Sequence, residues 1–434
     1  MILVPFSAKL FLLFFVGIVS IVTLTTSMTS FVHTSFSSMT TAKDSIPQDS
    51  LENTSANYGI TDDVRDAIKS IVSNSNSTNA AVVLGYVDPN GTQFYGYGNK
   101  SRLINSTVDQ NTIFGIGSIT KVFTTILLAD MANDGLVKFD DPLQKHLPSN
   151  VTAPKYGAQN MTLENLATHT AALPEFPDNF CKDYWDNFDV NHTAAYRMKI
   201  IECSQKYSPS ELYQSLSNTS ISRDFGSKFG YSSFGTGLLG NILALKSNLS
   251  YDDLLEKRIL SVLGMVNTSI TLTEEQKSNM AVGHINGDEL PLWNLAPVMT
   301  PSGGIYSTTS DMLKFISANI GLIQTKLDTA MQESHLIRHY NGFLGPNNVQ
   351  VTNNNSGEGF YVGLGWMINT NYGSEVIWHN GITADGYNSI IAFNPSSHKG
   401  IVLLSSADHK DIDVANIGLL HKEGFAKLIW KLLY

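Results

Sequence analysis

Ser118 and Lys121 lie three residues apart at the start of a strongly apolar stretch of the chain. On a helix, residues i and i+3 share one face, so the serine hydroxyl and the lysine amine can meet. A serine hydroxyl is a weak nucleophile until a base accepts its proton. Burial and the positive end of a helix both favour the neutral lysine amine, which is the form that can act as that base. The spacing therefore predicts nucleophilic catalysis at Ser118 with Lys121 as the base.

The context of this tetrapeptide separates it from other serine patterns. A second Ser-x-x-Lys occurs at 396–399, but it lies between two strand patterns with no apolar helix behind it, and we interpret it as a solvated hairpin turn. The α/β-hydrolase pattern G-x-S-x-G does not fit, because Ile116 and Thr120 occupy the glycine positions around Ser118.

Two further segments carry groups that could assist the serine. Tyr231 follows a glycine, and a phenol beside a lysine ammonium has a lowered pKa and can relay a proton. His379, Asn380 and Gly381 end a strand pattern, where a glycine lets a substrate lie against the strand edge. Taken alone, a tyrosine or a histidine in such a place is more often structural.

In their order and separation, these segments resemble the three motifs of the serine β-lactamase and penicillin-binding-protein superfamily, and of class C β-lactamases in particular. Ser118-x-x-Lys121 resembles the first motif, Tyr231-Ser232-Ser233 the Tyr-x-Asn motif, and His379-Asn380-Gly381 the Lys/His-x-Gly motif. The resemblance covers most of residues 57–434 and includes Thr112-Ile113-Phe114, Asp140-Asp141-Pro142, His146-Leu147-Pro148, Leu166 to Pro174, Gly235 to Gly240, Ser302 to Thr308 and Gly363 to Trp366.

The resemblance implies an acyl-enzyme cycle that needs no metal or organic cofactor. Ser118 would attack an ester or amide carbonyl while Lys121 and Tyr231 move protons. The N–H groups of Ser118 and Ile382 would bind the oxyanion. The remaining predicted substrate-binding residues are Ser233, His379 and Gly381. His169 belongs to a segment of the family that we interpret as structural.

Two departures from the family pattern bear on the substrate. Ser233 stands where the family has asparagine, and a hydroxyl offers fewer hydrogen bonds than an amide. His379 stands where β-lactamases have a lysine that helps to hold the carboxylate of the antibiotic, and histidine is not permanently charged near neutral pH. We expect an esterase, a D-aminopeptidase or a D-Ala-D-Ala carboxypeptidase. The alternatives are a true β-lactamase and a catalytically inactive surface receptor or scaffold on the same fold.

The pattern of elements predicts an α/β (α+β) fold of the β-lactamase/transpeptidase type. Strand patterns at both ends of the chain indicate one antiparallel sheet flanked by helices, with a mainly helical lobe at about 136–285. The insertion at 175–218 is expected to shape the substrate pocket. Helices are predicted at 61–72, 118–133 and 417–433, and strands at 80–86, 93–98, 359–368, 374–379, 388–393 and 400–405.

The net charge argues against a nucleic-acid partner, and the N-terminal segment indicates an exported protein. The chain of 434 residues has a net charge of -10, whereas phosphate binding requires clustered lysine and arginine. The partner is expected to be a small-molecule or peptide substrate. The apolar run at 10–24 predicts a signal peptide or a membrane anchor within residues 1–27, followed by a Ser/Thr-rich linker at 28–56 and the catalytic domain at 57–434.

Two further features agree with an extracytoplasmic location, either secreted or anchored to the membrane. Cys181 and Cys203 are the only cysteines, and in an exported protein their spacing predicts one disulfide. Asn-x-Ser/Thr sequons, which are sites of glycosylation in a host that performs it, occur at Asn53, Asn76, Asn90, Asn99, Asn105, Asn150, Asn160, Asn191, Asn218, Asn248, Asn267 and Asn354.

Overall fold

A computed structural model describes residues 59–74, 80–101, 106–185, 193–340, 359–371, 374–407 and 424–434. The predicted signal or anchor segment and the predicted linker lie outside these ranges. Within the described part of the chain, no helix is both long and apolar enough to cross a membrane.

The central sheet has eight antiparallel strands. They are β1 (Ala81–Asp88), β2 (Gly91–Gly98), β9 (His339–Tyr340), β10 (Gly359–Val362), β11 (Met367–Asn371), β12 (Ser374–Ile382), β13 (Asn388–Asn394) and β14 (Lys399–Ser405). Their spatial order is β2-β1-β14-β13-β12-β11-β10-β9. The N-terminal hairpin thus pairs directly with the last strand, and the Ala81 N–H donates to the Ser406 hydroxyl at 3.0 Å, although 325 residues separate them. The predicted sheet built from both chain ends is confirmed.

The N-terminal hairpin forms for local reasons. Every residue of β1 is buried, which agrees with its nearly continuous apolar sequence. At the turn, the Asn90 N–H donates to the Asp88 carboxylate at 2.7 Å, and Gly91 has a φ of 138°, which favours glycine. Three two-stranded sheets lie apart from the central sheet: β3 (Ile113–Gly115) with β8 (Tyr306–Thr308), β4 (Lys155–Tyr156) with β5 (Gln159–Asn160), and β6 (His284–Ile285) with β7 (Asp288–Glu289). The last two pairs are short hairpins, whereas β3 and β8 come from distant parts of the chain.

Helices cover both faces of the sheet and make up much of the middle of the chain. They are α1 (Asp62–Asn74), α2 (Thr120–Asn133), α3 (Leu163–Ala167), α4 (Lys182–Trp185), α5 (Ala194–Ser204), α6 (Pro209–Asn218), α7 (Ser233–Ser247), α8 (Tyr251–Leu255), α9 (Ser261–Leu263), α10 (Glu274–Ser278), α11 (Thr309–Asn319), α12 (Asp328–His335) and α13 (Gly424–Lys431). Turns of 3-10 or π helix occur at Gly117–Ile119, Leu143–His146, Glu256–Leu260 and Thr300–Ser302.

Two apolar clusters lie on opposite faces of the sheet. On one face, α1 and α13 pack through residues such as Val64, Ile68 and Trp430. On the other face, α2, α11 and the middle helices form the larger cluster. Helix α2 is buried over most of its circumference, as its apolar sequence predicts. The N-terminal part of the predicted helix at 417–433 lies outside the described residues, which include α13.

Two element boundaries differ from prediction. Ser118 does not open an α-helix, because Gly117–Ile119 forms a 3-10 turn and the α-helix begins at Thr120. The predicted strand at 359–368 is two strands, β10 and β11. They are separated by a turn in which the Gly363 N–H donates to the Trp366 carbonyl at 2.9 Å and Gly365 has a φ of 71°.

The break between β10 and β11 exposes one edge of β12. Pairing with β11 extends only to Trp378, which faces Met367. Residues 379–382 still pair with β13 on one side, but no described strand pairs with them on the other. This free edge is the part of the sheet that faces Ser118.

The predicted helical lobe is mainly helical where it is described, with α3 to α10 between residues 136 and 285. Cys181 and Cys203 form a disulfide across the insertion at 175–218, with their Cα atoms 5.6 Å apart. The bond joins the start of α4 to the end of α5.

Candidate active site

The turn that carries Ser118 is held by hydrogen bonds from two sides. The Ile116 N–H donates to the Ile305 carbonyl at 3.0 Å, and the Ile305 N–H donates to the Thr120 hydroxyl at 3.2 Å. From the sheet, the Ser389 hydroxyl donates to the Ile116 carbonyl at 2.9 Å. These contacts fix the backbone of the turn between Ile305 and strand β13 of the sheet.

Two glycines allow the turn and the strand to approach closely. Gly117 has a φ of 50°, and a Cβ atom there would lie 3.0 Å from both the N and O atoms of Ile382. A Cβ atom at Gly381 would lie 2.1 Å from the Ile116 carbonyl oxygen. The backbone of Ile382 therefore lies directly beside the turn that carries Ser118.

Lys121 is the most deeply buried charged group of the site. Its Nζ atom lies 3.0 Å from the Ser118 hydroxyl and 2.6 Å from the Ser302 carbonyl oxygen, and the residue is 1% exposed. Burial lowers the pKa of Lys121 to about 7, although the Glu175 carboxylate opposes this shift. A neutral amine can donate one proton to Ser302 and still accept the proton of Ser118.

Tyr231 lies beside both groups. The Lys121 Nζ atom lies 4.9 Å from the centroid of the Tyr231 ring, and the Ser118 side chain acts to lower the pKa of the Tyr231 hydroxyl. Burial raises the pKa of Tyr231, and the effect of Ser118 offsets this rise only in part. The expectation of a lowered tyrosine pKa is therefore wrong, and the side chain is a neutral phenol that can donate a proton.

His379 is buried and neutral. Its Nδ1 atom lies 2.6 Å from the Asn380 carbonyl oxygen, to which it donates a proton. Burial lowers the pKa of His379 to about 3, and the nearby Lys121 contributes to this shift. Its ring lies 6.2 Å from that of Tyr231. The site therefore has no fixed positive charge at the position where the family pattern has a lysine.

The segment that carries Tyr231 is positioned by its neighbours. The Ser232 N–H donates to the Nδ1 atom of His169 at 3.1 Å, and the His169 ring lies 4.7 Å from the Tyr231 ring. Ser232 also caps α7, because its hydroxyl accepts from the Gly235 N–H at 2.9 Å. His169, interpreted from sequence as structural, positions this segment. Ser233, the first residue of α7, is 5% exposed.

Glu175 is a site residue that the sequence reasoning did not identify. Its carbonyl oxygen accepts from the Phe234 N–H at 3.0 Å, and the preceding carbonyl, that of Pro174, accepts from the Ser232 hydroxyl at 2.7 Å. Its carboxylate interacts electrostatically with both Lys121 and Tyr231. The signal available in the sequence was a single charge within the otherwise apolar run at 171–177.

The insertion packs against the end of β12. Tyr196, Ile200 and Ile201 form a small apolar cluster with Ala384, which lies two residues beyond Ile382. The Trp293 indole N–H donates to the Ser204 hydroxyl at 2.6 Å. The insertion therefore forms a wall near the oxyanion side of the cleft, and Ile382 remains 42% exposed.

Comparison with known proteins identifies the family to which the chain belongs. A family profile described as "Beta-lactamase" matches residues 69–422. The chain therefore belongs to this family, within the superfamily of serine β-lactamases and penicillin-binding proteins.

Individual relatives match over part of their length. The chain is 30% identical over 243 residues to the D-alanyl-D-alanine-carboxypeptidase/endopeptidase AmpH of Escherichia coli K12. This match covers 56% of this chain and 57% of AmpH. It is 26% identical over 253 residues to a Beta-lactamase of Psychrobacter immobilis, over 58% of this chain and 56% of that protein. The matches thus span a little over half of the length of these relatives.

Solved structures share the fold over most of the chain. A class C beta-lactamase superposes with a TM-score of 0.64 at 21% identity, over 85% of this chain and 96% of the other. A Beta-lactamase/D-alanine Carboxypeptidase from Yersinia pestis superposes with a TM-score of 0.63 at 23% identity, over 86% and 100% of the two chains.

Proposed function

We propose that the protein is a serine hydrolase that cleaves an ester or an amide through an acyl-enzyme on Ser118. The observation that carries this proposal is the 3.0 Å contact between the Ser118 hydroxyl and the Nζ atom of Lys121. Because burial lowers the pKa of that amine to about 7, a large fraction of it is neutral near pH 7 and can accept the serine proton.

The proposed cycle has two halves. In the first, Ser118 Oγ forms a bond to the substrate carbonyl carbon, and its proton passes to Lys121. The bond to the leaving alcohol or amine then breaks, and the leaving group takes a proton through Tyr231 or Lys121. In the second half, water attacks the acyl ester, the acid departs, and Ser118 regains its proton. The N–H groups of Ser118 and Ile382 would stabilise both oxyanions.

We further propose that simple esters and peptides are better substrates than β-lactams. This is supported by His379, whose buried imidazole is neutral and cannot form an ion pair with the carboxylate of a penicillin. It is also supported by Ser233, which lacks an amide. The name of AmpH, a carboxypeptidase and endopeptidase, agrees with peptide chemistry, but leaves open which class of ester or peptide this chain cleaves.

The His379→Lys variant is expected to turn over penicillins better relative to activated esters, by about one to two decades. The physical reason is that a charged hydrogen bond contributes about 1.5–3 kcal/mol. The measurement is the ratio of kcat/KM for benzylpenicillin to that for p-nitrophenyl acetate, in both proteins. A wild-type protein that already prefers the penicillin would contradict the role assigned to His379.

The rate of acylation should rise with pH through the pKa of Lys121. Protonated lysine cannot accept the serine proton, so kcat/KM for a neutral ester should increase about tenfold per pH unit below the midpoint and level off above it. The midpoint should lie near 7. His379 should not contribute to this rise in kcat/KM, because its pKa of about 3 lies well below the pH range of the rise. A profile that is flat or falling between about pH 6 and pH 8 would exclude Lys121 as the base.

The direct test of the proposal is covalent labelling. A fluorophosphonate should react with the wild-type protein and add mass to the single peptide that contains Ser118. Intact, folded protein that never labels would favour the catalytically inactive receptor.

We also propose an extracytoplasmic location. This is supported by the sequons that lie exposed on the surface, which are Asn90, Asn150, Asn160, Asn218 and Asn248. Asn267 is half-buried, and Asn99 is 8% exposed, so Asn99 is not accessible to a glycosyltransferase in the folded protein. The sequons outside the described residues are Asn53, Asn76, Asn105, Asn191 and Asn354.

A further inference from the structure

Glu175 interacts electrostatically with Lys121 and Tyr231, yet the proposed cycle does not use this acidic side chain. Glu175 is half-buried, and its backbone is fixed to the first turn of α7 by the Phe234 N–H. The carbonyl of the preceding residue, Pro174, accepts a hydrogen bond from the hydroxyl of Ser232, which directly follows Tyr231. Glu175 therefore projects from the same short stretch of backbone that positions Tyr231.

The Glu175 carboxylate has no direct partner among the described residues, since it forms neither a hydrogen bond nor an ion pair there. It does interact with Lys121 electrostatically, and each group opposes the effect of burial on the pKa of the other. Burial raises the pKa of Glu175, which means that the ionised carboxylate is poorly solvated. A partly desolvated carboxylate without a partner is destabilising unless a cation comes close to it.

The Arg223 guanidinium lies beside Gly230, but Lys121 is the only cation of the described residues that acts on the pKa of Glu175. His169 and His379 are both buried, and burial lowers the pKa of each well below the usual histidine value. Lys121 must be neutral to act as the base of Ser118. In the catalytically competent state, the only full charge among Glu175, Lys121 and the two histidines is therefore the negative charge of Glu175.

We propose that Glu175 binds a protonated amino group of the substrate, so that the cleft selects esters or amides with an ammonium group close to the scissile carbonyl. This inference rests on the proposed acyl-enzyme function and names its substrate class. The substrate ammonium takes the place of the missing cation and forms a charge-assisted hydrogen bond with the carboxylate.

Two consequences follow for catalysis and specificity. A bound ammonium near Lys121 disfavours a second positive charge there, and so increases the fraction of neutral lysine that can accept the serine proton. A substrate with a carboxylate near the scissile bond is repelled by Glu175 and finds no cation at His379. Substrate binding and activation of the base thus favour the same class of molecule.

The test compares alanine p-nitroanilide, as D and L forms, with the N-acetylated compounds near pH 7, where an α-amino group is largely protonated because its pKa is about 8. For the wild-type protein, the ratio of kcat/KM for the free amine to kcat/KM for the N-acetylated compound should be at least about ten, as expected for one charged hydrogen bond. In Glu175→Gln this ratio should fall to near one, and in Glu175→Asp to an intermediate value. Glu202→Gln is the matched control: Glu202 is exposed on α5, so its loss changes the net charge equally and should leave the ratio unchanged.

The outcomes separate this inference from the proposed function. If Ser118 is labelled by a fluorophosphonate but the wild-type protein cleaves the acetylated anilide equally well, or cleaves neither, the role of Glu175 is wrong and the acyl-enzyme proposal stands. The role of Glu175 is also wrong if the Glu175→Gln variant folds and still prefers the free amine to the acetylated compound. If Ser118 never labels, the proposed function itself fails. If the Glu175→Gln variant does not fold, the role of Glu175 is still tested by the ratio of free-amine to acetylated-substrate cleavage in the wild-type protein and in Glu175→Asp.

Discussion

The Ser118→Ala variant should lose covalent labelling entirely and should lose turnover by about four decades or more. Removing a nucleophile removes the acyl-enzyme path and leaves only binding and oxyanion stabilisation. The loss of one hydroxyl from a side chain at the edge of the cleft should cost little stability, so the protein should melt near the wild-type temperature. The measurement is kcat/KM for an activated ester, together with the mass of the fluorophosphonate-treated protein.

The second Ser-x-x-Lys provides the control for this experiment. Ser396 is exposed in the turn between β13 and β14, where its N–H donates to the Asn394 side chain. Ser396→Ala should label and turn over like the wild type, although its spacing to a lysine is identical. Labelling that persists in Ser118→Ala would show that another hydroxyl is the nucleophile and would overturn the assignment.

The Lys121→Ala variant should slow acylation by roughly three to four decades, which is the upper range for loss of a general base. The amine is the only side chain that contacts both the Ser118 hydroxyl and the Ser302 carbonyl among the described residues. Its removal leaves the serine proton without an acceptor. The measurement is the rate of ester acylation across pH, in which the variant should also lose the rise near pH 7 that the wild type shows.

This second readout distinguishes a base from a structural residue. Lys121 is almost fully buried, so Lys121→Ala also leaves a cavity and an unpaired carbonyl, which together cost about 2–5 kcal/mol of stability. A merely structural lysine would lower the melting temperature without changing the pH profile of the remaining activity. An unchanged midpoint near 7 in the folded variant would therefore contradict the assignment.

Sequence patterns predicted the elements whose periodicity is strong. The hairpin of β1 and β2, the buried helix α2 and the late strands β12, β13 and β14 all occur within a few residues of their predicted positions. The spacing of Ser118 and Lys121 predicted that they share one site, because residues three apart lie on the same face of a helical turn. These features depend on local sequence and on the burial of apolar side chains.

The errors arose where tertiary packing decides the outcome. The 3-10 turn at Ser118 depends on the close approach of Gly117 to β12, which no local pattern indicates. The direction of the Tyr231 pKa shift was wrong because the depth of burial, and not the neighbouring lysine, dominates it. Glu175 was missed because its position beside Lys121 is set by hydrogen bonds to α7, far along the chain.

The pairing of β1 with β14 has a consequence for how the chain reaches its native state. Because the two strands come from opposite ends of the domain, β1 has no partner on that side until almost the whole chain has been synthesised. Closing such a long loop is entropically costly, and topologies dominated by distant pairings fold slowly. The domain should therefore acquire its native sheet only after its last strands are available. An unpaired β1 would meanwhile present an apolar edge that is prone to aggregation. Late folding is compatible with the proposed extracytoplasmic location, because a chain that has not yet folded can be passed across a membrane.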